Sequence, residues 1–94
     1  MDEKTRAFYD RLKGQLREDT DWPTTYLYKF IVPASEEKVK EIESVFQDTD
    51  ARIDTRDSSK GTYTSVSITI HLKDPDAVIK KYKEVSVIEG IISL

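Results

Sequence analysis

The sequence contains no cysteine, a single histidine and a single tryptophan among its 94 residues. The absence of cysteine excludes disulfide bonds, thiolate metal sites and a cysteine nucleophile, and it is compatible with a reducing cytoplasm. Neither a second histidine nor a carboxylate pair stands at the spacing that a metal site requires. We therefore expect a cytoplasmic protein that is not an enzyme and has no catalytic residue, metal or cofactor.

Long hydrophobic runs are missing as well. No segment approaches the roughly 20 apolar residues that span a bilayer, and the charged residues 1–6 have no apolar stretch behind them, so no secretory signal is expected. The formal net charge is −3, and acidic and basic residues are mixed along the chain. We therefore expect neither nucleic acid nor a membrane surface as a partner.

The most regular pattern in the chain is the run Thr62–Leu72, which predicts a long strand. Apolar residues alternate there with hydroxyl-bearing residues and His71, the two-residue period of a strand that is buried on one face. The preceding segment Asp57–Gly61 predicts a hairpin turn, since Gly61 adopts a positive φ at no steric cost. Ala51–Arg56 predicts a short strand on the other arm of that hairpin.

A further strand is predicted from Thr24 to Val32, because its residue types favour a pleated surface and Pro33 ends the run. One face of this strand is the candidate core and carries Tyr26, Tyr28, Phe30 and Val32. The other face carries Leu27, Lys29 and Ile31. The C-terminal segment Val87–Leu94 predicts a last strand.

Three segments show the apolar spacing of a helix. The first is Lys4–Arg17, and a narrow apolar stripe marks it: Phe8, Leu12 and Leu16. Ser35 and Asp74 are suitable N-caps for the second and third helices, and Pro75 fits the first helical position after Asp74.

The order of these elements is a helix followed by β-α-β-β-α-β. Right-handed crossovers fold this order into a four-stranded antiparallel sheet with two helices on one face, the ferredoxin-like α+β arrangement, with an extra N-terminal helix. We divide the chain into an N-terminal helix and connector, residues 1–21, and a single ferredoxin-like domain, residues 22–94.

Three motifs carry a resemblance to a known family. They are the turn Ser58–Gly61, the strand Tyr63–Ile70 and the pair Tyr28–Lys29, and the aliphatic C-terminal strand is consistent with them. On these residues the chain, from Trp22 to Leu94, resembles the YbeD-like family of small bacterial proteins, described as lipoate regulatory proteins. The resemblance implies a βαββαβ fold similar to the ACT domains that regulate amino-acid metabolism.

Two groups of residues are candidate binding sites. The first is the turn, in which backbone N–H groups near a lysine would form a small anion-binding nest: Ser58, Ser59, Lys60 and Gly61. The second is an interaction face on the side of the sheet away from the helices: Leu27, Lys29, Ile31, Ser65, Ser67, Thr69 and His71. Three interpretations of that face stay open: a solvated surface, a homodimer interface, or a surface covered by the apolar stripe of the first helix.

Other interpretations of these residues are weaker. A lipoyl-attachment lysine also lies at a hairpin tip, but the neighbours of Lys60 are not the acidic and small apolar residues that usually flank it. RNA-recognition domains share this fold, yet Thr62, Thr64 and Ser67 stand where those domains place aromatic residues. His71 is expected to be an ordinary surface residue.

The leading hypothesis is a non-enzymatic regulatory or adaptor module. It would bind a small metabolite, or an enzyme linked to lipoate metabolism, through its loops and the interaction face. The alternative is a pure protein–protein interaction domain that has no small-molecule ligand.

Overall fold

The computed structural model describes residues 2–94, and its elements follow the predicted order. They are α1 (Glu3–Asp19), β1 (Thr24–Pro33), α2 (Glu36–Val45), β2 (Arg52–Asp57), β3 (Tyr63–Leu72), α3 (Pro75–Val85) and β4 (Ile92–Ser93). The predicted ferredoxin-like α+β fold is confirmed.

The four strands form one antiparallel sheet in the order β2-β3-β1-β4. β1 and β3 pair along their full length at the centre, and Tyr28 lies directly opposite Ile68. β2 and β4 are the two edges, and β4 contributes only two paired residues. The central pairing confirms that the two runs with the clearest alternation are neighbours.

One face of the sheet packs against α2 and α3 to form the core. Its strand residues include Tyr28, Phe30, Val32, Val66 and Ile68, which are fully buried. The helices contribute Ile42, Val78 and Val85 to the same cluster, and Phe46 joins it from the C-cap of α2. Full burial of each such side chain stabilises the fold by roughly 1.5–3 kcal/mol relative to exposure.

The two helices of this layer begin at the predicted caps. The Asp74 carboxylate accepts a hydrogen bond from the Ala77 N–H at 2.8 Å, and Pro75 stands at the start of α3. The Ser35 hydroxyl accepts from the Lys38 N–H at 3.4 Å at the start of α2. These local contacts fix where the chain turns from strand to helix.

The first helix, α1, lies on α3, on the helical side of the sheet. Lys13 Nζ is 2.8 Å from a carboxylate oxygen of Asp76 on α3. The Trp22 indole N–H donates to the Leu16 carbonyl at 3.0 Å, which holds the end of α1 against the core. None of the α1 residues is fully buried.

The interpretation in which the α1 stripe covers the other face of the sheet is therefore wrong. Phe8 is 54% exposed, and Leu16 packs against the core instead. The stripe is too narrow to specify its own partner; Leu16 packs against the core, and the Lys13–Asp76 ion pair and the Lys83 ammonium over the Tyr9 ring join α1 to α3.

The C-terminal strand is shorter than predicted. β4 spans Ile92–Ser93, whereas residues 86–91 form turns with bonds from the Ile88 N–H to the Val85 carbonyl and from the Ile91 N–H to the Ile88 carbonyl. Gly90 has φ +84°, and a Cβ there would lie 3.1 Å from the Pro33 ring. The Ile88 side chain is buried in the core, and this interrupts the strand that the apolar composition of the segment predicts.

Candidate functional site

The second face of the sheet, here called the open face, carries the predicted interaction residues together. It consists of the side chains on the four strands, and on the residue after β4, that alternate with the core positions: Leu27, Lys29, Ile31, Tyr63, Ser65, Ser67, Thr69, His71, Arg52, Asp54, Arg56, Ile92 and Leu94. Leu27 lies opposite Thr69, Lys29 opposite Ser67, and Ile31 opposite Ser65. The sequence prediction therefore placed its seven residues on one surface.

Large apolar side chains are exposed on the open face. Leu27 and Tyr63 are each 50% exposed, Ile92 is 53% exposed and Leu94 is 72% exposed. Ile92 lies opposite the half-buried Ile31, so the β4 residues extend the apolar surface of β1. Ile92, Leu94 and Tyr63 were not among the predicted interaction residues, although their alternate positions in the predicted strands indicate this face.

The charged residues of the open face are mostly basic. Lys29, Arg52 and Arg56 are the cations of its paired strand positions within residues 2–94, and Asp54 is the anion. Arg52 Nε is 3.3 Å from an Asp54 carboxylate oxygen, with both side chains largely exposed. The open face is therefore basic on a chain whose formal net charge is −3.

The hydroxyl groups of β3 form a half-buried row at the centre of this face. Ser65, Ser67 and Thr69 alternate along the strand, and the Ser65 hydroxyl donates to the Arg56 carbonyl at 3.2 Å. Arg56 and Ser65 line two adjoining depressions, one of about 430 Å³ toward Lys29 and one of about 350 Å³ toward Ser58. The row separates the apolar side chains of β1 from the charged side chains of β2.

The predicted anion-binding turn is closed by bonds of its own. The Ser58 hydroxyl accepts from the N–H groups of Thr62 and Tyr63, each at 3.1 Å. The Gly61 N–H donates to the Ser58 carbonyl at 2.9 Å, and Gly61 has the expected positive φ of +70°. The N–H groups of Ser59 and Lys60 are the ones in this turn without a partner among residues 2–94.

Two residues of this turn lie at the open face, and the other two do not. Ser58 and Ser59 line the smaller depression together with Ile31 and Tyr63. Lys60 is exposed beyond it, and Gly61 lines a different cavity. Whether the turn binds an anion stays a prediction.

His71 stands at the end of β3, exposed on the open face and opposite Thr25. Within residues 2–94, no group of three or more His, Cys, Asp or Glu side chains is placed to hold a metal ion. In the same part of the chain, none of the helices has the length and apolar character to cross a membrane.

A groove of about 560 Å³ separates α2 from the β2–β3 hairpin, and the sequence analysis did not anticipate it. At its floor Thr64 is 4% exposed and its hydroxyl donates to the Asp57 carboxylate at 2.9 Å. Glu36, Lys40 and Glu43 line the groove from α2 and Asp57 lines it from the hairpin, so its lining is net acidic. The one sequence feature that indicates this groove is Thr64, which carries a hydroxyl at a position where the alternation of β3 predicts an apolar residue.

A cluster of tyrosines lies on the core side of β1 and contributes to packing. The Tyr28 hydroxyl donates to the Val78 carbonyl at 2.9 Å, and the hydroxyls of Tyr26 and Tyr82 are 2.9 Å apart. Burial raises the pKa of Tyr28 and of Tyr82 well above the ordinary value. Both phenols therefore stay protonated at neutral pH, and their contacts fix α3 on the sheet.

Comparison with protein families matches residues 17–94 to a family described as "Protein of unknown function (DUF493)". A curated relative, the "UPF0250 protein" of Erwinia tasmaniensis, is 36% identical over 81 residues, which cover 83% of this chain and 93% of the relative. The matches confirm the resemblance to the YbeD-like family of small bacterial proteins.

Solved structures agree on the fold. The solution structure of protein HP0495 from H. pylori matches with a TM-score of 0.63 at 13% identity, covering 80% of this chain and 85% of that one. The ACT domain of a GTP pyrophosphokinase from Chlorobium tepidum matches with a TM-score of 0.53 at 16% identity, covering 76% of this chain and all of that domain. At these identities the likeness establishes an ACT-like fold.

Proposed function

Because the chain belongs to the DUF493 family, whose function is unknown, we propose from its own geometry that it is a non-catalytic binding module that docks a partner protein through the open face. The observation that carries this proposal is the group of exposed apolar side chains around Ile31 and Ile92. Single apolar residues are common on protein surfaces, but several on one sheet face are typical of an interaction site.

The charge of the open face defines the chemistry of the partner. Lys29 lies between Leu27 and Ile31 on β1, and Arg52 and Arg56 lie on β2 at one edge of the sheet, while the rest of the chain brings the net charge to −3. A partner surface that is apolar where it meets β1 and β4 and carries carboxylates where it meets β2 would complement this pattern and would be oriented by it. An acidic protein surface is therefore the proposed occupant.

Two observations support a regulatory or adaptor role rather than catalysis. The Ser65 hydroxyl of the β3 row donates to the Arg56 carbonyl, and that contact supplies no base that would activate it as a nucleophile. The similar ACT domain is part of a GTP pyrophosphokinase, so a module of this shape accompanies an enzyme there. We propose that this chain acts in the cytoplasm on an enzyme partner, and that any link to lipoate metabolism runs through that partner.

A second candidate function is the binding of a small molecule in the groove between α2 and the hairpin. Its volume of about 560 Å³ suits a small metabolite. Its lining carries three carboxylates, from Glu36, Glu43 and Asp57, against one lysine, Lys40. A ligand with an amino group fits this lining better than a carboxylate such as lipoate, which would meet like charges.

The test of the proposed function uses matched lysine substitutions. Leu27→Lys and Ile92→Lys place a charge in the apolar part of the open face, whereas Val87→Lys places one at a position that is 84% exposed outside the sheet. A partner captured by the native chain would be purified, and its Kd for each variant measured by calorimetry. We expect the two open-face variants to weaken binding by about tenfold or more and Val87→Lys to leave it unchanged.

Other outcomes would overturn the open-face proposal. Equal affinity of all three variants would place the partner elsewhere. Concentration-dependent self-association that is lost in Leu27→Lys and Ile92→Lys would make the open face a homodimer interface. A melting temperature that rises with amino metabolites, and no longer rises in Asp57→Asn, would favour the groove as the functional site.

A further inference from the structure

The outer edge of β2 has unpaired backbone groups of known direction. No strand lies beside this edge within residues 2–94. The bond from the Ser58 N–H to the Tyr63 carbonyl, at 2.8 Å, continues the ladder between β2 and β3. Bonded and non-bonded residues alternate in an antiparallel pair, so the even-numbered residues of β2 direct their backbone groups to β3. The odd-numbered residues, including Ile53 and Thr55, therefore direct theirs outward.

Charged residues alternate in sign along this edge. The even-numbered positions from just before β2 to near its end read negative, positive, negative, positive: Asp50, Arg52, Asp54 and Arg56. When such a series is reversed, every position meets the opposite sign. An antiparallel copy of the same segment is therefore its electrostatic complement.

We propose that the chain forms a two-fold symmetric homodimer by antiparallel pairing of the β2 edges, centred on Ile53. In this register the two Ile53 residues exchange N–H···O=C bonds across the axis. Arg52 lies opposite Asp54 of the second copy, and Asp50 lies opposite Arg56 of the second copy. These charged residues fall at the non-hydrogen-bonded pairs, where side chains approach most closely.

The other symmetric registers fit less well. Centring on Asp54 opposes the two Asp54 residues and sets Arg52 against Arg56, and like charges directly opposite are destabilising. Centring on Thr55 keeps the Asp54–Arg56 pairs but leaves Arg52 opposite Ser58. The charge series therefore selects one register.

The partner in this proposal is a second copy and no other strand. Charged side chains on an edge strand normally prevent it from pairing with foreign strands. The same charges here favour pairing with a reversed copy of their own segment. The resulting eight-stranded sheet leaves Leu27, Ile31 and Ile92 of each copy exposed for the partner proposed above, whereas Arg52 and Arg56 of the open face form ion pairs with the second copy.

The interface is a single short strand from each copy, which is typical of a weak and reversible dimer. We expect sedimentation velocity of the full chain to show a monomer–dimer equilibrium that shifts with protein concentration and weakens at high salt. Arg52 and Asp54 have side chains that are 79% and 60% exposed, so substitutions there leave the core untouched.

Charge reversal tests the register directly. In the homodimer of either variant, Arg52→Asp or Asp54→Arg, residues 52 and 54 of opposite copies carry the same charge at both places where they meet. Each variant is therefore expected to raise the dimer Kd by about tenfold or more. An equimolar mixture of the two variants restores an opposite charge at every position. We therefore expect the mixture to dimerise at least as tightly as the native chain.

Three results would overturn the proposal. They are a chain that stays monomeric at all concentrations and low salt, a dimer that both single variants leave unchanged, and a failure of the mixture to dimerise although circular dichroism shows both variants folded. Loss of the dimer in Asp54→Arg but not in Arg52→Asp would contradict the Ile53 register and indicate the one centred on Thr55.

Discussion

The two faces of the sheet are built from the same strands but differ in the burial of their side chains. On the helix face, Phe30 and Ile68 are fully buried beneath α2 and α3. On the open face, Leu27 is 50% exposed and lies opposite a threonine hydroxyl. One face of the sheet alone supplies the core, so apolar residues of the other face, such as Leu27, stay exposed.

The largest expected difference between the faces is in stability. Phe30→Ala removes a fully buried ring, and we expect it to lower the free energy of unfolding by about 3–5 kcal/mol. Leu27→Ala, on the neighbouring position of the same strand, should change it by no more than about 0.5 kcal/mol. Urea unfolding followed by circular dichroism measures both. Similar losses in the two variants would mean that the open face is part of the core.

Alkaline pH should weaken the helix face through its tyrosines. Burial raises the pKa of Tyr28 in the folded chain, whereas an unfolded tyrosine ionises near pH 10. The contribution of Tyr28 to the free energy of unfolding is therefore complete below about pH 10. Above that pH it is lost, by up to about 1.4 kcal/mol per pH unit. Tyr28→Phe should flatten this loss in urea titrations between neutral and strongly alkaline pH. At neutral pH it should cost about 1 kcal/mol, since the bond to the Val78 carbonyl is lost.

Substitution of an aspartate by alanine should change stability by different amounts on the two sides of the sheet. Asp74→Ala removes the cap of α3, and we expect a loss of about 1 kcal/mol in the free energy of unfolding. Asp54→Ala on the open face removes an exposed ion pair with Arg52 and should change stability by no more than about 0.5 kcal/mol. Thermal unfolding of the two variants decides this, and equal effects would remove the distinction between the two sides.

The smallest predicted effect concerns the ion pair that holds α1 on the helical layer. The hydrogen bond from Lys13 lowers the pKa of the Asp76 carboxyl, with the nearby charges of Lys13, Arg17 and Lys83 adding to the effect. Because the pKa of Asp76 is lower in the folded chain than in the unfolded chain, its ion pair stabilises the fold above the ordinary aspartate pKa, near pH 4. This stabilisation is lost on further acidification. The urea midpoint of Asp76→Asn should therefore differ from that of the native chain at pH 7 and agree with it near pH 2. A constant difference at both values would contradict the ion-pair account.

Local signals in the sequence were sufficient for most of the fold. Ser35 and Asp74 cap their helices through contacts three residues away, and the alternation of β3 needs only its own side chains to predict a one-sided strand. The seven predicted residues of the interaction face share one surface because the two-residue period fixes which side each occupies.

Features that depend on distant contacts could not be predicted in this way. The α1 stripe fits either side of the sheet, and its place beside α3 involves contacts with the core and with Asp76, more than fifty residues away. Val87–Ile91 has the composition of a strand, but Ile88 is drawn into the core and the chain turns at Gly90. The groove arises where α2 faces the hairpin, so Thr64 was its one local sign.

The most direct test of the account is methyl NMR with a soluble nitroxide, recorded for the chain alone and saturated with its purified partner. The methyl signals of Leu27, Ile31 and Ile92 should be broadened in the isolated chain and protected in the complex, while those of Val87 are broadened in both. If Leu27 and Ile92 remain broadened in the complex while methyl groups elsewhere become protected, the open face is not the binding surface.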